Sequence, residues 1–428
     1  MQLPKLVRLE LEKVSKELTT LQPLRVVVIG GGAAGFFGAV ACAKSHPHTQ
    51  VSLLEASRQP LAKVRVSGGG RCNVTHACFD PAGLVPNYPR GGKALRGAFS
   101  RFQSIDTVKW FASQGVKLKT EPDGRMFPTT DSSETIVECL MKAAHFAGVK
   151  LLTGTTVVSV VKQNDEFVIE LKTGEKVMCN RLLLATGSNP LGYQVAKSLG
   201  HTIEPPVPSL FTFNIIDKHL KDLAGISANP VKLRLSVDSK TSLEQTGPLL
   251  ITHWGLSGPA VLKLSAWGAR VLHDRAYQAT LLINWQTQFN SEELRAKLLQ
   301  VKSEHSKKAI ALHRGVDLPH RLWQYLIVRA GIDTEQRWAE LSNKTLNQLI
   351  CELTQGSYQI QGKGAFKEEF VTCGGVTLKQ VDFKSMASRI TPGLYFAGEI
   401  LDIDGVTGGF NFQSAWTTAW LAGQAIGN

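Results

Sequence analysis

Val26 to Ile29 is an unbroken run of β-branched residues, the pattern of a parallel strand buried on both faces. Glycines end it, and an Ala/Phe/Val-rich stretch to about Ser45 has the composition of a buried helix, followed by a second apolar strand, Val51 to Leu54. Helical spacing recurs over Ser104 to Gly115 and Ser132 to Gly148, each closed by a glycine stop. Alternation predicts two strands, Thr155 to Lys162 and Glu166 to Lys172, and then a buried strand, Arg181 to Ala185, running into Thr186 and Gly187. Pro205, Pro206 and Pro208 mark a boundary, beyond which Phe211 to Ile216, Val231 to Val237 and Leu249 to His253 read as short strands of a small β domain. Ser257 is placed to cap a helix that carries Pro259 near its first turn. Helical patterns fill Ser291 to Leu353. The end predicts a strand pair, Phe370 to Val376 and Gly393 to Glu399, then a glycine loop and a long helix, Phe412 to Ile426. Met1 to Gln22 mixes Lys and Glu with leucines at helical spacing.

A chain of 428 residues is too long for one ordinary core, so two or three domains are expected. Hydrophobic content of 43% and charged content of 19% describe a globular protein, and no apolar run approaches the roughly 20 residues of a membrane span. The N-terminal stretch lacks a signal peptide's apolar centre, which predicts a cytoplasmic location. Seven scattered cysteines without a C-x-x-C pair suggest neither a metal site nor a disulfide framework. Net charge is +13, and eight basic residues between Arg58 and Arg101 face one acid, Asp80. That stretch is either an electrostatic footprint for a polyanion or a solvated basic face that also serves a cofactor's phosphates.

The chemistry concentrates where strands meet glycine. Gly30, Gly32 and Gly35 stand at G-x-G-x-x-G spacing, with Ala33 and Ala34 opening the helix whose N-terminus would receive a pyrophosphate. Glu55, 20 residues beyond Gly35 and followed by Ala56, is spaced to accept hydrogen bonds from a ribose diol. A second glycine-rich turn, Ser67 to Gly70, is followed by Arg71, Cys72, Asn73 and Thr75, groups able to bond the polar edge of a flat ligand. Near the end, Gly398 and Glu399 close a strand, Asp402 follows, and Gly408 and Gly409 feed the last helix through Phe410, Asn411 and Gln413. A helix N-terminus there would stabilise an anionic reduced flavin.

With GGGAAG, SGGGRCNVTH, ATG, THWGLSGPA, TCGGV and GLYFAGEILDIDGVTGGFNFQSAW assembled, the chain resembles the HI0933-like (YhiN/BaiN) family of two-dinucleotide-binding flavoproteins over nearly everything after residue 24. The resemblance implies an α/β fold: a Rossmann-like FAD-binding domain (24–195 and 369–428) with a β-barrel-like insert (196–290 and 355–368), a helical insert (291–354) and an N-terminal amphipathic segment (1–23). It implies FAD along the glycine turns and Glu55, with Lys63, Val157, Ala185, Thr186 and Gly187 as further cofactor contacts, and NAD(P)H as a transient reductant. Family members are flavin-dependent reductases, some named aminoacetone oxidases and some resembling ribosomal RNA dihydrouridine synthases. The first reading is therefore reduction of a uridine double bond in large-subunit ribosomal RNA, with the Arg58 to Arg101 stretch as RNA contact. Reduction or oxidation of a small unsaturated or amine substrate is the alternative, and a non-catalytic flavoprotein the second. No second glycine fingerprint and no C-x-x-x-x-C redox pair is present, Cys72 and Cys78 being six apart, so the disulfide-reductase reading fails. Hydride delivery to one carbon leaves its neighbour to be protonated by a protein acid. Cys373 is the candidate, with Cys72 and His253 as alternatives.

Overall fold

The computed structural model describes residues 23–236, 242–364 and 371–428; the amphipathic reading of the first 22 residues, Val237 and Phe370 lie outside them. Five parallel strands form the central sheet: β1 (Arg25–Ile29), β2 (Gln50–Leu54), β3 (Lys150–Leu152), β4 (Arg181–Leu184) and β5 (Leu394–Phe396). Their spatial order is β5-β4-β1-β2-β3, extended beyond β5 by two short antiparallel strands. The central strand is buried from Val26 to Ile29 because the helix that follows it and the three-stranded antiparallel meander, Val157–Gln163, Glu166–Leu171 and Lys176–Cys179, both pack against it. Helix α1 (Ala33–Ser45) buries nine consecutive residues, Ala34 to Cys42, which explains its lack of a polar face. It packs against the last helix, α2 (Phe410–Ala425). Phe37 meets Trp416 with ring centroids 5.3 Å apart. A side chain on Gly423 would come within 2.6 Å of the Ala41 methyl, so small residues set the closeness of this crossing. The first and last elements of the described chain thus share one core, and the remaining elements are inserted between them.

One insert is a closed six-stranded barrel, in which Phe213–Ile215, Gly255–Ser257, Ser242–Thr252, Ser227–Ser236, Gln278–Asn284 and Gly356–Lys363 pair in that order around the ring. Before its final strand the chain makes three helices, Ser291–Glu304, His320–Arg329 and Asn343–Gln355, around fully buried Trp323 and Trp338. Both inserts share a second hydrophobic core.

Two local expectations need correction, and Pro205, Pro206 and Pro208, just ahead of the barrel's first strand, lie in an extended strand, Ile203–Ser209, that pairs with Val371–Val376. A register shift between Glu204 and Val207 spares the two adjacent prolines from the ladder, as a bulge allows. Val371–Val376 therefore does not pair with Leu394–Phe396, which joins β4 instead. Finally, the helix Pro259–Trp267 is capped by Gly258, not Ser257. Gly258 has φ +96°, and a side chain on it would press on the backbone of Pro248 and Leu250. Ser257 accepts the Thr212 hydroxyl at 3.2 Å instead.

Candidate dinucleotide and active site

The candidate residues gather at the carboxyl ends of the parallel strands, where open α/β sheets bind ligands. Gly30 follows β1, Glu55 follows β2, Ala185 follows β4 and Gly398 follows β5, while the segment after β3 runs back beside Glu55 through the Thr155 N–H to Glu55 carbonyl bond of 2.8 Å. Val157 lies just beyond, buried at the start of the next strand.

The glycine turn separates into walls and an opening. A Cβ on Gly30 would strike the Ala185 carbonyl, and one on Gly35 would strike the Gly30 carbonyl, so both glycines are demanded by packing. Gly32 is different, because a Cβ there would meet nothing within 4 Å. It stands at the N-cap of α1 with no side chain capping the helix, leaving open space over the N–H groups of Ala33 and Ala34. A pyrophosphate needs such an approach. Glu55 is already oriented: its carboxylate accepts the Gly31 N–H at 2.6 Å and the Ser57 N–H at 2.7 Å, while Ala56 beside it is exposed.

On the other side of the turn, Lys63 donates to Glu399 at 2.6 Å and to Ser188 at 3.2 Å, joining the early segment to the end of the chain. The second Glu399 oxygen accepts the Thr372 N–H at 3.0 Å. Gly398 approaches so closely that a Cβ would sit 2.8 Å from the Ala34 methyl. Two buried hydroxyls, Thr186 Oγ1 and Thr372 Oγ1, lack any protein partner. Both belong to segments that touch Glu399, since Gly187 lies against its carboxylate. Buried polar groups are nearly always satisfied, so the open helix N-terminus and these orphaned hydroxyls together fit a polar, elongated ligand.

The second glycine turn also has free space. Gly68, Gly69 and Gly70 all have positive φ, and Cβ atoms on Gly69 and Gly70 would meet nothing within 4 Å. Ser67 donates to its own helix at the Val64 carbonyl, 2.9 Å away. Arg71 turns aside, paired with Glu121 at 2.6 Å and lying 4.0 Å over the Phe127 ring. Asn73 spans to the last segment: its amide donates to the Thr75 carbonyl (3.0 Å) and accepts the Gly409 N–H (2.9 Å). Thr75 and Thr107 donate to the buried Gln413 carbonyl oxygen at 2.6 and 2.9 Å, so Gln413 organises the interior of α2. Asn411 closes its own loop through two 2.8 Å bonds with Gly405. Phe410 stacks on His76 with centroids 4.7 Å apart, beside Gly408.

The three candidate acids are not brought together. Cys72 is fully buried behind the glycine turn, and burial pushes its thiol up to about 12. Cys373 is also fully buried, on the strand that follows Thr372; burial raises its thiol, and Arg270 Nε donates to the sulfur at 3.4 Å. Arg270 is held in turn by Asp402 at 2.8 Å. His253 stands exposed on a barrel turn. Beside Cys373 lies a polar knot that the sequence did not single out. Asp404, fully buried, binds Arg90 through both oxygens (2.5 Å from Nε) and accepts the Ser209 hydroxyl at 2.7 Å. Burial raises the Asp404 carboxyl against the opposing pull of Arg90.

Half of the basic stretch is consumed by folding. Lys63, Arg65, Arg71 and Arg90 all pair with acids from distant segments, leaving Arg58, Lys93, Arg96 and Arg101 without an ion pair among the described residues.

The pattern of the HI0933-like protein Rossmann domain matches residues 24–425. The chain belongs to the HI0933-like family. A ribosomal RNA dihydrouridine synthase of Haemophilus influenzae is 31% identical over 414 residues, covering 94% of this chain and 98% of that protein. Its counterpart from Escherichia coli is 29% identical over 408 residues, 94% and 97% of the two chains. A 3-dehydro-bile acid Δ4,6-reductase of Clostridium scindens is 29% identical over 411 residues, again 94% and 98%. Among solved structures, a 3-ketosteroid-Δ4-(5α)-dehydrogenase from Rhodococcus jostii superposes with a TM-score of 0.50 at 14% identity, over 96% of this chain and 99% of that one, which supports the fold alone. As a member of the HI0933-like family, the chain is an FAD-dependent oxidoreductase. Among the described residues no helix is long and apolar enough to cross a membrane, and no cluster of three metal-ligating side chains occurs.

Proposed function

We propose that this chain reduces a carbon–carbon double bond with NAD(P)H as electron source, and that its substrate is a uridine of large-subunit ribosomal RNA, reduced to dihydrouridine in the cytoplasm. Two relatives named ribosomal RNA dihydrouridine synthase match it over essentially their whole length. The bile acid reductase is equally similar, so identity alone does not choose between RNA and a small molecule. The observation that carries the choice is net charge: +13 suits a polyanionic substrate, whose phosphates reward a basic surface, and offers nothing to a small neutral one. All seven cysteines are free, in keeping with a reducing compartment.

Bound FAD supplies hydride chemistry. Gly32 and the first turn of α1 would hold its pyrophosphate, Glu55 its ribose, and the segment at Thr186, Glu399 and Thr372 its polar middle. The double bond gains a hydride at one carbon and a proton at the other, while the nicotinamide is oxidised. Cys373 is the proton donor in this reading: burial keeps its thiol protonated at neutral pH, and Arg270 fixes the sulfur in place.

Anaerobic mixing of the yellow holoprotein with NADPH or NADH, followed by addition of ribosomal RNA from a deletion strain, tests the whole scheme. The flavin bands should bleach with nicotinamide and return only when RNA is added, with a reduced uridine appearing. Return with small enones but not RNA favours the small-molecule reading; absence of bleaching removes NAD(P)H from it. Cys373→Ala should lose product while keeping the flavin spectrum, and unchanged turnover would eliminate the thiol as donor.

A further inference from the structure

The motif THWGLSGPA contributes a helix cap and a barrel turn, yet its most unusual residue faces outward. Trp254 is 63% exposed, at the tip of the turn joining strands Ser242–Thr252 and Gly255–Ser257. Ile216, 71% exposed, follows the residue opposite Trp254: Phe213 pairs with Leu256, Asn214 with Gly255, and the Ile215 N–H donates to the Trp254 carbonyl at 3.2 Å. The turn is stiff. Thr252 Oγ1 donates to the Gly255 carbonyl at 3.2 Å, and Gly255 lies so close to Phe213 and Ile215 that no side chain fits there. A large aromatic ring and, one residue past its backbone partner, a branched side chain are therefore both exposed at this end of the barrel.

The surroundings are cationic. The single helical turn after Ile216 carries Lys218, His219 and Lys221, and no ion pair holds either lysine among the described residues. Asp217, the acid nearest them in sequence, is turned inward, accepting the Leu220 N–H at 3.0 Å, the Tyr325 hydroxyl at 2.7 Å and Arg329 at 3.3 Å. Asp222 is the one acid left on this turn, and Arg321 donates to its carbonyl. His253 adds a second exposed imidazole beside the ring.

An exposed aromatic ring flanked by unpaired lysines is the arrangement by which proteins hold single-stranded nucleic acid: a base stacks on the ring while phosphates meet the cations. We propose that the Trp254–Ile216 face is the docking surface for an unpaired RNA segment, with Trp254 stacking a base and Lys218 and Lys221 meeting flanking phosphates. This rests on the reading of RNA as substrate and adds where the RNA is gripped, on a surface separate in sequence from the Arg58 to Arg101 stretch. A membrane surface or a protein partner would use the same apolar pair without demanding a planar ring.

The test uses FAD-loaded protein and a fluorescently labelled 12-nucleotide oligouridylate, titrated by anisotropy at several salt concentrations. Trp254→Ala should weaken binding by roughly tenfold, the scale of one lost base stack, without changing the salt slope. Trp254→Phe should keep most of the affinity. The double variant Lys218→Gln/Lys221→Gln should lower the salt slope by about 1.4, at roughly 0.7 per phosphate contact on single strands. Equal binding by Trp254→Ala and wild type, equal loss in Trp254→Phe and Trp254→Ala, or no binding by wild type would each overturn the proposal. If wild type binds as described yet never reduces a ribosomal uridine, the docking surface stands and the substrate reading fails. If it reduces the uridine and Trp254→Ala does so at the same rate and affinity, only the docking surface fails.

Discussion

Among the site residues the glycines of the first turn illustrate how one residue type serves opposite purposes. Gly35 has no room for a methyl group because the Gly30 carbonyl fills the position, whereas Gly32 has nothing near it and an ordinary φ of −91°. Gly35→Ala should therefore destabilise the fold itself by about 1–3 kcal/mol, the usual cost of overpacking, visible as a lowered denaturation midpoint of the apoprotein. Gly32→Ala should leave that midpoint unchanged and weaken FAD binding by at least about tenfold, because its methyl group occupies the phosphate's approach. Equal effects of the two substitutions on the apoprotein would refute the division into wall and opening. The six-residue spacing was legible from sequence; which glycine faces the ligand was not, because that depends on the neighbours each one meets.

Between elements, the decisive contact is the buried pair Arg90–Asp404, which with Ser209 ties together the loop before residue 92, the strand Ile203–Ser209 and the loop ahead of α2. Removing one member leaves an uncompensated buried charge, so Arg90→Met should cost about 3–5 kcal/mol in chemical denaturation. Arg90→Met/Asp404→Leu should recover most of that loss, since apolar replacements of both partners are often neutral; a double variant as unstable as the single one would show that the pair carries more than its own charge balance. Nothing in the sequence joins positions 314 residues apart, and the same blindness explains the basic stretch. Arg65 meets Glu134 and Lys63 meets Glu399 only after folding, so a local charge count overstated the exposed positive surface. The elements themselves were more legible. The strand–turn–helix–strand opening, the small meander and the last helix follow from local periodicity, whereas the Pro205–Pro208 strand does not, because its partner arrives from the far end of the chain and a bulge takes Pro205 and Pro206 out of the ladder.

At the scale of the whole molecule, stability should depend on pH through histidines that fold in the neutral form. His201 is 97% buried, leans edge-on against Phe396 with centroids 4.7 Å apart and shares a 2.8 Å hydrogen bond with Ser388, while its Nδ1 has no partner. Burial holds it below the usual imidazole range, and the same cause lowers His76 behind Phe410. A folded-state value below the unfolded one means that the unfolded chain takes up the proton more readily. The stabilisation is therefore fully present above about pH 6.5 and is lost as pH falls through the folded-state values. Asp404, whose carboxyl burial raises, works in the opposite sense, and the carboxylates lowered by ion pairs, such as Asp131 and Glu244, lose their contribution only in the acid range. Thermal midpoints should accordingly fall between pH 7.5 and 5.5. His201→Gln should flatten that fall, because an amide of similar reach can meet Ser388 without titrating. An unflattened profile would mean that the wet, half-exposed histidines govern the slope and that His201 is protonated at no cost to the fold.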